Sequence, residues 1–149
     1  MGKYFWPLVW IVLLSTGIAA YGQVSNEGLN KISPEIKSAF IAKYSGTSEI
    51  SCSVIDQEVL VSFKSGDEYY DAFFDQKGKW LRTETAIVFD QLPNAIQDSL
   101  KNGEFATWQK GSIFEVKLPG NVSNYKIFVY SKDWNEMEIN FDKNGKRIN

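Results

Sequence analysis

Histidine is absent from the 149 residues, cysteine occurs once and proline four times. Without histidine the chain lacks the usual general base, the usual activator of a nucleophile and the commonest metal ligand, so zinc centres and Ser-His-Asp arrangements are excluded. A lone cysteine excludes a disulfide scaffold, and stability must come from packing. Cys52 alternates with Ile50 and Val54 on a predicted strand. That pattern reads as a small buried hydrophobe, with a reactive thiol or an intermolecular bridge as the alternatives. Charge of one sign is also missing: 16 Lys and Arg stand against 18 Asp and Glu, a net charge of −2. Scattered, mildly acidic charge gives no electrostatic footprint for nucleic acid or an anionic membrane. The acids left for catalysis, Asp67, Glu68, Asp71, Glu84, Glu136 and Glu138, mostly lie beside Lys, Arg or hydroxyl residues at strand spacing. They read as a solvated sheet face. The expectation is therefore a non-enzyme with no cofactor, no metal site and no catalytic residues.

Long apolar runs are equally scarce. Lys3 precedes the run Phe5 to Leu14, and the small residues Ser15, Thr16, Gly17, Ala19 and Ala20 follow it. This is the pattern of a secretory signal peptide, and the run is short for a membrane span, which needs about 20 apolar residues. Residues 1–22 are expected to be removed, with cleavage after Gly22 or, alternatively, after Ala20. No cysteine adjoins this boundary to carry a lipid. The expected location is the periplasm or the extracellular space, with no membrane insertion after cleavage. Residues 23–30 are polar and read as a flexible lead-in. The remainder, 31–149, is enough for a single domain with a core.

What the chain does have is a repeated phrase. Phe74-Asp75-Gln76-Lys77-Gly78-Lys79 returns as Phe141-Asp142-Lys143-Asn144-Gly145-Lys146. A hydrophobe, an Asx-type turn starter, a Gly and a surface Lys are the chemistry of a hairpin turn. Each copy stands some distance behind a short helical pattern. In the first, Ser33 is the candidate N-cap, Pro34 the first helical residue and Glu35 an acid in the first turn, with Ile36, Phe40 and Ile41 as the apolar stripe and Gly46 as the stop. In the second, Asp90 is a candidate cap and Pro93 lies near the first turn. Leu92, Ile96 and Leu100 form the stripe, and Asn102-Gly103 ends the helix. Strand patterns occupy Glu49–Ile55, Glu58–Lys64, Glu68–Phe74 and Lys79–Val88 in the first half. In the second they occupy Phe105–Lys110, Ile113–Leu118, Tyr125–Tyr130 and Glu136–Phe141, with a short run at Lys146–Ile148. Short turns between them predict an antiparallel meander.

The fold class is thus α+β: a tandem repeat of a short helix plus an antiparallel β-meander, with repeats at about 31–89 and 90–149. The helices match at an offset of 60 residues and the turns at 67, so seven extra residues are expected in the second half, around Gly120 to Asn124 or Lys132 to Asn135. Aligning the halves puts Tyr70, Ala72 and Phe74 on the core face. By alternation, Tyr69, Phe73, Trp80 and Arg82 fall on the other. That outer face is more aromatic than solvation requires and has the composition of a recognition surface. Burial of the same side chains by the other half is the competing reading. Trp134, in the expected inserted loop, is the best single candidate for an exposed anchor. The candidate partner-binding residues are accordingly Tyr69, Phe73, Trp80, Arg82 and Trp134.

The Pro-led helical segments SPEIKSAFIAKY and LPNAIQDSL, with the hairpin segments FDQKGKWLRTET and FDKNGKRIN, resemble the secreted PepSY-like, beta-lactamase-inhibitor-like proteins of Bacteroidetes. The resemblance spans about Ile32 to Ile148. It implies a tandem helix-plus-antiparallel-sheet fold similar to beta-lactamase inhibitor protein, in which a curved sheet presents a concave face to a protein partner, and it implies no catalytic residues. The functional expectation is an exported, non-enzymatic binding or inhibitor-like module that engages a protein partner through its sheet face. The alternative is a carrier that encloses a small apolar ligand between sheet and helices in the cell envelope.

Overall fold

The computed structural model describes residues 28–148, so the expected signal peptide and its cleavage position lie outside the described residues. The described residues begin before the expected boundary at residue 31. Gly28–Lys31 forms a single 3-10 turn, and Leu29, the one apolar side chain in the last part of the expected lead-in, is buried against the first core.

Ser33 begins the first helix, α1 (Pro34–Lys43), as expected. Its backbone is extended, its Oγ accepts from the Ile36 N–H at 3.4 Å, and Pro34 supplies a fixed φ where no donor is needed. Tyr44 closes the helix by donating its N–H to the Phe40 carbonyl, and Gly46 turns the chain at φ +69°. A meander follows, made of β1 (Ser48–Ile55), β2 (Glu58–Ser65), β3 (Glu68–Phe74) and β4 (Trp80–Ala86). Then come the second helix, α2 (Asn94–Asn102), and the strands β5 (Gln109–Leu118), β6 (Val122–Tyr130) and β7 (Glu136–Asp142). All seven strands form one antiparallel sheet in chain order, giving an α+β fold.

Three expected elements differ. Most of Phe105–Lys110 is not a strand: the chain turns through 105–108 and β5 begins only at Gln109, while Phe105 sinks into the core with Trp108 edge-on to it at 5.4 Å, and Lys110 Nζ donates to the carbonyls of Phe105, Ala106 and Trp108. Alternating aromatics here serve packing from a turn, and β5 runs on unbroken in name but with a register shift between Lys110 and Ile113. The final run, Lys146–Ile148, makes one bridge, Phe141 with Arg147. Asp90 does not cap α2. Phe89–Gln91 forms its own 3-10 turn, and Pro93 takes the cap position without a side-chain bond, Gln97 donating back to the Leu92 carbonyl instead. Where the seven extra residues were expected, β5 and β6 are longer than β1 and β2, and the β6–β7 loop 131–135 has five residues where the β2–β3 connection has only Gly66 and Asp67.

Both helices pack on one face of the sheet. Ile36 and Phe40 of α1 meet Val59, Val61, Phe63, Ala72 and Phe74, with Leu29 and Ile50. Ile96 and Leu100 of α2 meet Ile113, Ile127, Val129, Ile139 and Phe141, with Leu92 and Phe105. These are two separate clusters. Between them, on the same face, the pairing of β4 with β5 sets the polar residues Thr83, Thr85, Glu115 and Lys117.

The two copies of the repeated phrase fold into the same turn. Asp75 Oδ1 accepts from the N–H groups of Lys77 and Lys79, both at 2.9 Å, and Asp142 Oδ1 accepts from those of Asn144 and Lys146 at 2.8 and 3.0 Å. Gly78 and Gly145 have φ of +83° and +81°, and each turn presses on the first turn of its helix: a Cβ on either glycine would come 2.9 Å from the backbone of Glu35 or Ala95. Left-handed backbone and helix contact both exclude a side chain. Gly78→Ala and Gly145→Ala are each expected to destabilise the fold by about 1–3 kcal/mol, read as a lower urea midpoint with unchanged slope. A loss under a few tenths of a kcal/mol would show that the turns do not anchor the helices.

Candidate functional site

Among the described residues, no helix covers the other face of the sheet. Its strands contribute Leu60, Ser62 and Lys64 from β2, Tyr69, Asp71 and Phe73 from β3, and Arg82, Glu84 and Ala86 from β4. Phe114 and Val116 follow from β5, and Lys126 and Phe128 from β6. Despite the missing cover, Phe73, Glu84 and Val116 are each only 8% exposed. Neighbouring side chains on the face itself enclose them.

An ion-pair chain holds the centre together. Arg82 donates to Glu58 at 2.7 Å and to Glu84 at 2.9 Å, and Lys126, reaching across from β6, pairs with the second oxygen of Glu84. The guanidinium of Arg82 lies 3.7 Å from the Phe73 ring centre, and Lys126 Nζ lies 5.3 Å from that of Phe114, which itself meets Phe128 edge-on at 6.3 Å. Cation and ring attract one another through the ring quadrupole. Burial works against the Arg82 charge, but its hydrogen bonds to Glu84 and Glu58 and the fields of both carboxylates outweigh that, and its pKa stands above the ordinary value.

Of the five expected site residues, the structure puts three on this face. Phe73 and Arg82 form its centre, and Tyr69 stands exposed near its border, donating to Glu49 at 2.7 Å. That bond holds the Tyr69 phenol pKa up and the Glu49 carboxyl down. Trp80 does not join them. A bulge pairs Phe73 with Arg82 but Phe74 with Trp80, so strict alternation fails between residues 80 and 82 and Trp80 turns to the helix side. There its Nε1 donates to Thr83 Oγ1 at 2.9 Å, Tyr44 bonds the same hydroxyl, and Lys43 of α1 covers its ring at 3.6 Å.

Trp134 stands in the loop 131–135, 70% exposed, with φ +60°. The loop is held by Trp134 N–H to the Ser131 carbonyl at 3.0 Å and Asn135 N–H to Ser131 Oγ at 3.1 Å. Its neighbour is Tyr130, ring centres 6.4 Å apart, whose hydroxyl donates to Glu136 at 2.6 Å. Tyr130 has its seat because Gly111 has no side chain, a Cβ there falling 2.5 Å from the ring. Residue-by-residue reading missed Phe114, Lys126 and Phe128. Their alternation was visible, but only the β4–β5 pairing brings them beside Phe73 and Arg82.

The two apolar clusters between sheet and helices are closely packed at their centres. Phe40, Phe63 and Phe74 close the first half and Ile96, Leu100, Ile127 and Ile139 the second, all fully buried. Among the described residues, the space on the helix side includes two open clefts: one of about 340 Å³ lined by polar as well as aromatic groups, among them Lys43, Thr83, Lys117 and Ser123, and one of about 390 Å³ beside α1, lined by Leu29, Phe40, Ile41, Tyr44 and Ile50. Among the described residues no group of three or more His, Cys, Asp or Glu is placed to hold a metal, and no helix is long and apolar enough to cross a membrane.

The sequence model of the family described as "Putative beta-lactamase-inhibitor-like, PepSY-like" matches residues 57–149. No curated protein matches the chain. Among solved structures, a DUF2874 family protein from Bacteroides ovatus superposes with a TM-score of 0.73 at 18% identity, covering 79% of this chain and 85% of its own. A BLIP-like protein from Bacteroides fragilis gives 0.69 at 17%, covering 79% and 84%. A Bacteroides eggerthii structure described as "putative periplasmic proteins" gives 0.71 at 17%, covering 79% and 86%. At these identities the likeness is one of fold.

The ion-pair chain has a testable role in the sheet. Glu84→Ala leaves Arg82 and Lys126 facing each other across a buried gap and is expected to cost about 2–4 kcal/mol in urea unfolding. Adding Lys126→Met should recover part of that loss, since the orphaned cation goes too. Strictly additive losses would show that the two groups do not interact.

Proposed function

The chain belongs to the PepSY-like family, and on that premise we propose that it is an exported, non-enzymatic binding or inhibitor-like module that engages a protein partner through the helix-free face of its sheet. One observation carries this reading: a sheet face that no helix among the described residues covers, and whose central aromatic side chains are already fixed by cations. Such a surface loses little side-chain freedom on docking. Aromatic residues and Arg are also the groups that carry most binding energy at interfaces. Tyr69, Phe73 and Arg82 then belong to the docking face with Phe114 and Phe128, and Trp134 stands at its end. Export rests on the N-terminal pattern of Lys3 and the run Phe5 to Leu14, and gives the periplasm or the extracellular space as the place of action.

The same reading treats the halves, about 31–89 and 90–149, as two repeats of one helix-plus-sheet unit. Support comes from the matching Asp75 and Asp142 turns and from their matching seats on α1 and α2. Inhibition of a beta-lactamase would be an analogy from fold alone, and the site has to decide it.

The test is capture with immobilised residues 23–149 from envelope and culture fractions of the host, run beside Ala86→Arg on the helix-free face and Ile41→Arg on the exposed side of α1. One stoichiometric protein partner is expected with the parent chain and with Ile41→Arg, and none with Ala86→Arg. A partner kept by Ala86→Arg and lost by Ile41→Arg would move the site to the helices.

A further inference from the structure

We infer that the partner segment docking on this face is basic, and that it presents an Arg or Lys side chain to the corner formed by Tyr130, Trp134, Glu136 and Glu138. The inference rests on the helix-free face being the docking surface and adds the chemistry of what docks there.

Cations on the face are already engaged within it. Arg82 is taken by Glu58 and Glu84, Lys126 by Glu84, and Lys64 by Glu49 at 3.6 Å. Carboxylates are left over. Glu136 and Glu138 are exposed and have no cation within ion-pair distance among the described residues. Glu136 accepts the Tyr130 hydroxyl and Glu138 accepts from Asn140 at 2.9 Å, so both are oriented by neutral donors and keep their charge uncompensated. The adjoining loop carries Lys132 and Asp133 and so adds no net charge. Phe128 stands opposite Glu138 across β6 and β7, and the exposed ring of Trp134 lies 6.4 Å from that of Tyr130, whose hydroxyl rests on Glu136.

An aromatic face beside a carboxylate is what a guanidinium or ammonium group fits: the ring quadrupole attracts the cation and the carboxylate accepts its N–H donors. The chain fills that arrangement itself at the centre of the face, where Arg82 lies on Phe73 between two glutamates. At the corner the same elements stand without their cation. Charge sign also decides among occupants. A second copy docking through the same face would bring only cations already paired within it, Arg82, Lys126 and Lys64, and nucleic acid or an anionic bilayer would meet like charge. A basic protein segment is the complementary occupant.

The experiment is selection of a random peptide library on immobilised residues 23–149, followed by fluorescence titration of the strongest synthetic binder against variants that keep the fold by circular dichroism. Binders enriched in Arg or Lys are expected. The pair Glu136→Gln with Glu138→Gln should raise Kd about tenfold, as should Trp134→Ala, and added salt should weaken binding to the parent more than to the Gln pair. Ala86→Gln, a neutral obstruction at mid-face, should also weaken it. Binders that are neutral or acidic overturn the inference, as do binders weakened by Ala86→Gln but indifferent to the corner variants. In that second case the docking face itself stands. Binders indifferent to every variant, or no binder at all, overturn the inference together with the docking face.

Discussion

The pairing of β4 with β5 is the constraint on which the rest depends. Each half buries its own apolar cluster under its own helix, and the clusters do not merge. They are joined by a ladder from Thr83 opposite Lys117 to Ala86 opposite Phe114. That register puts Glu84 opposite Val116, within reach of Lys126 on the next strand, and leaves Thr83 and Lys117 facing the helices. A slip of one residue would exchange those faces, driving Glu84 into the helix side and Thr83 onto the open face. The ladder thus fixes the joint between halves and the charge pattern of the exposed surface in a single step.

One device recurs around the joint between the two cores: a cation rests on an aromatic ring. Arg82 covers Phe73, Lys126 covers Phe114 and Lys43 covers Trp80. For the first two, the cation is in turn held by carboxylates. A face built this way is apolar beneath and charged above, which keeps it soluble when open and leaves aromatic area accessible to a partner able to rearrange or complement the charges. It also explains how Phe73 can be buried on a side that no helix among the described residues covers.

Much of the architecture was legible. Helix α1 was readable from Ser33, Pro34 and the stripe Ile36 to Phe40, because capping and periodicity act within a few residues. The twin turns were readable from Asp and Gly, because an Asx turn closes on its own backbone. Trp80 was misplaced for the opposite reason. Alternation assumes one residue per pleat, and the bulge between β3 and β4 adds one that local sequence does not announce. Phe105 and Trp108 were misread similarly, since alternating aromatics satisfy a strand and a packed turn equally well.

By itself the sequence determined the α+β class, the chain order of helix and meander, the turn chemistry, and the exclusion of histidine- and disulfide-based designs, all properties set by neighbours along the chain. Only the tertiary structure decided which aromatics share a surface. Phe73 and Arg82 come from β3 and β4, Phe114 from β5, and Lys126 and Phe128 from β6, and pairing across strands brings them together. Charge complementarity was decided there too, because whether Glu84 or Glu136 keeps an unmet charge depends on which cation the register places within a few ångströms of it.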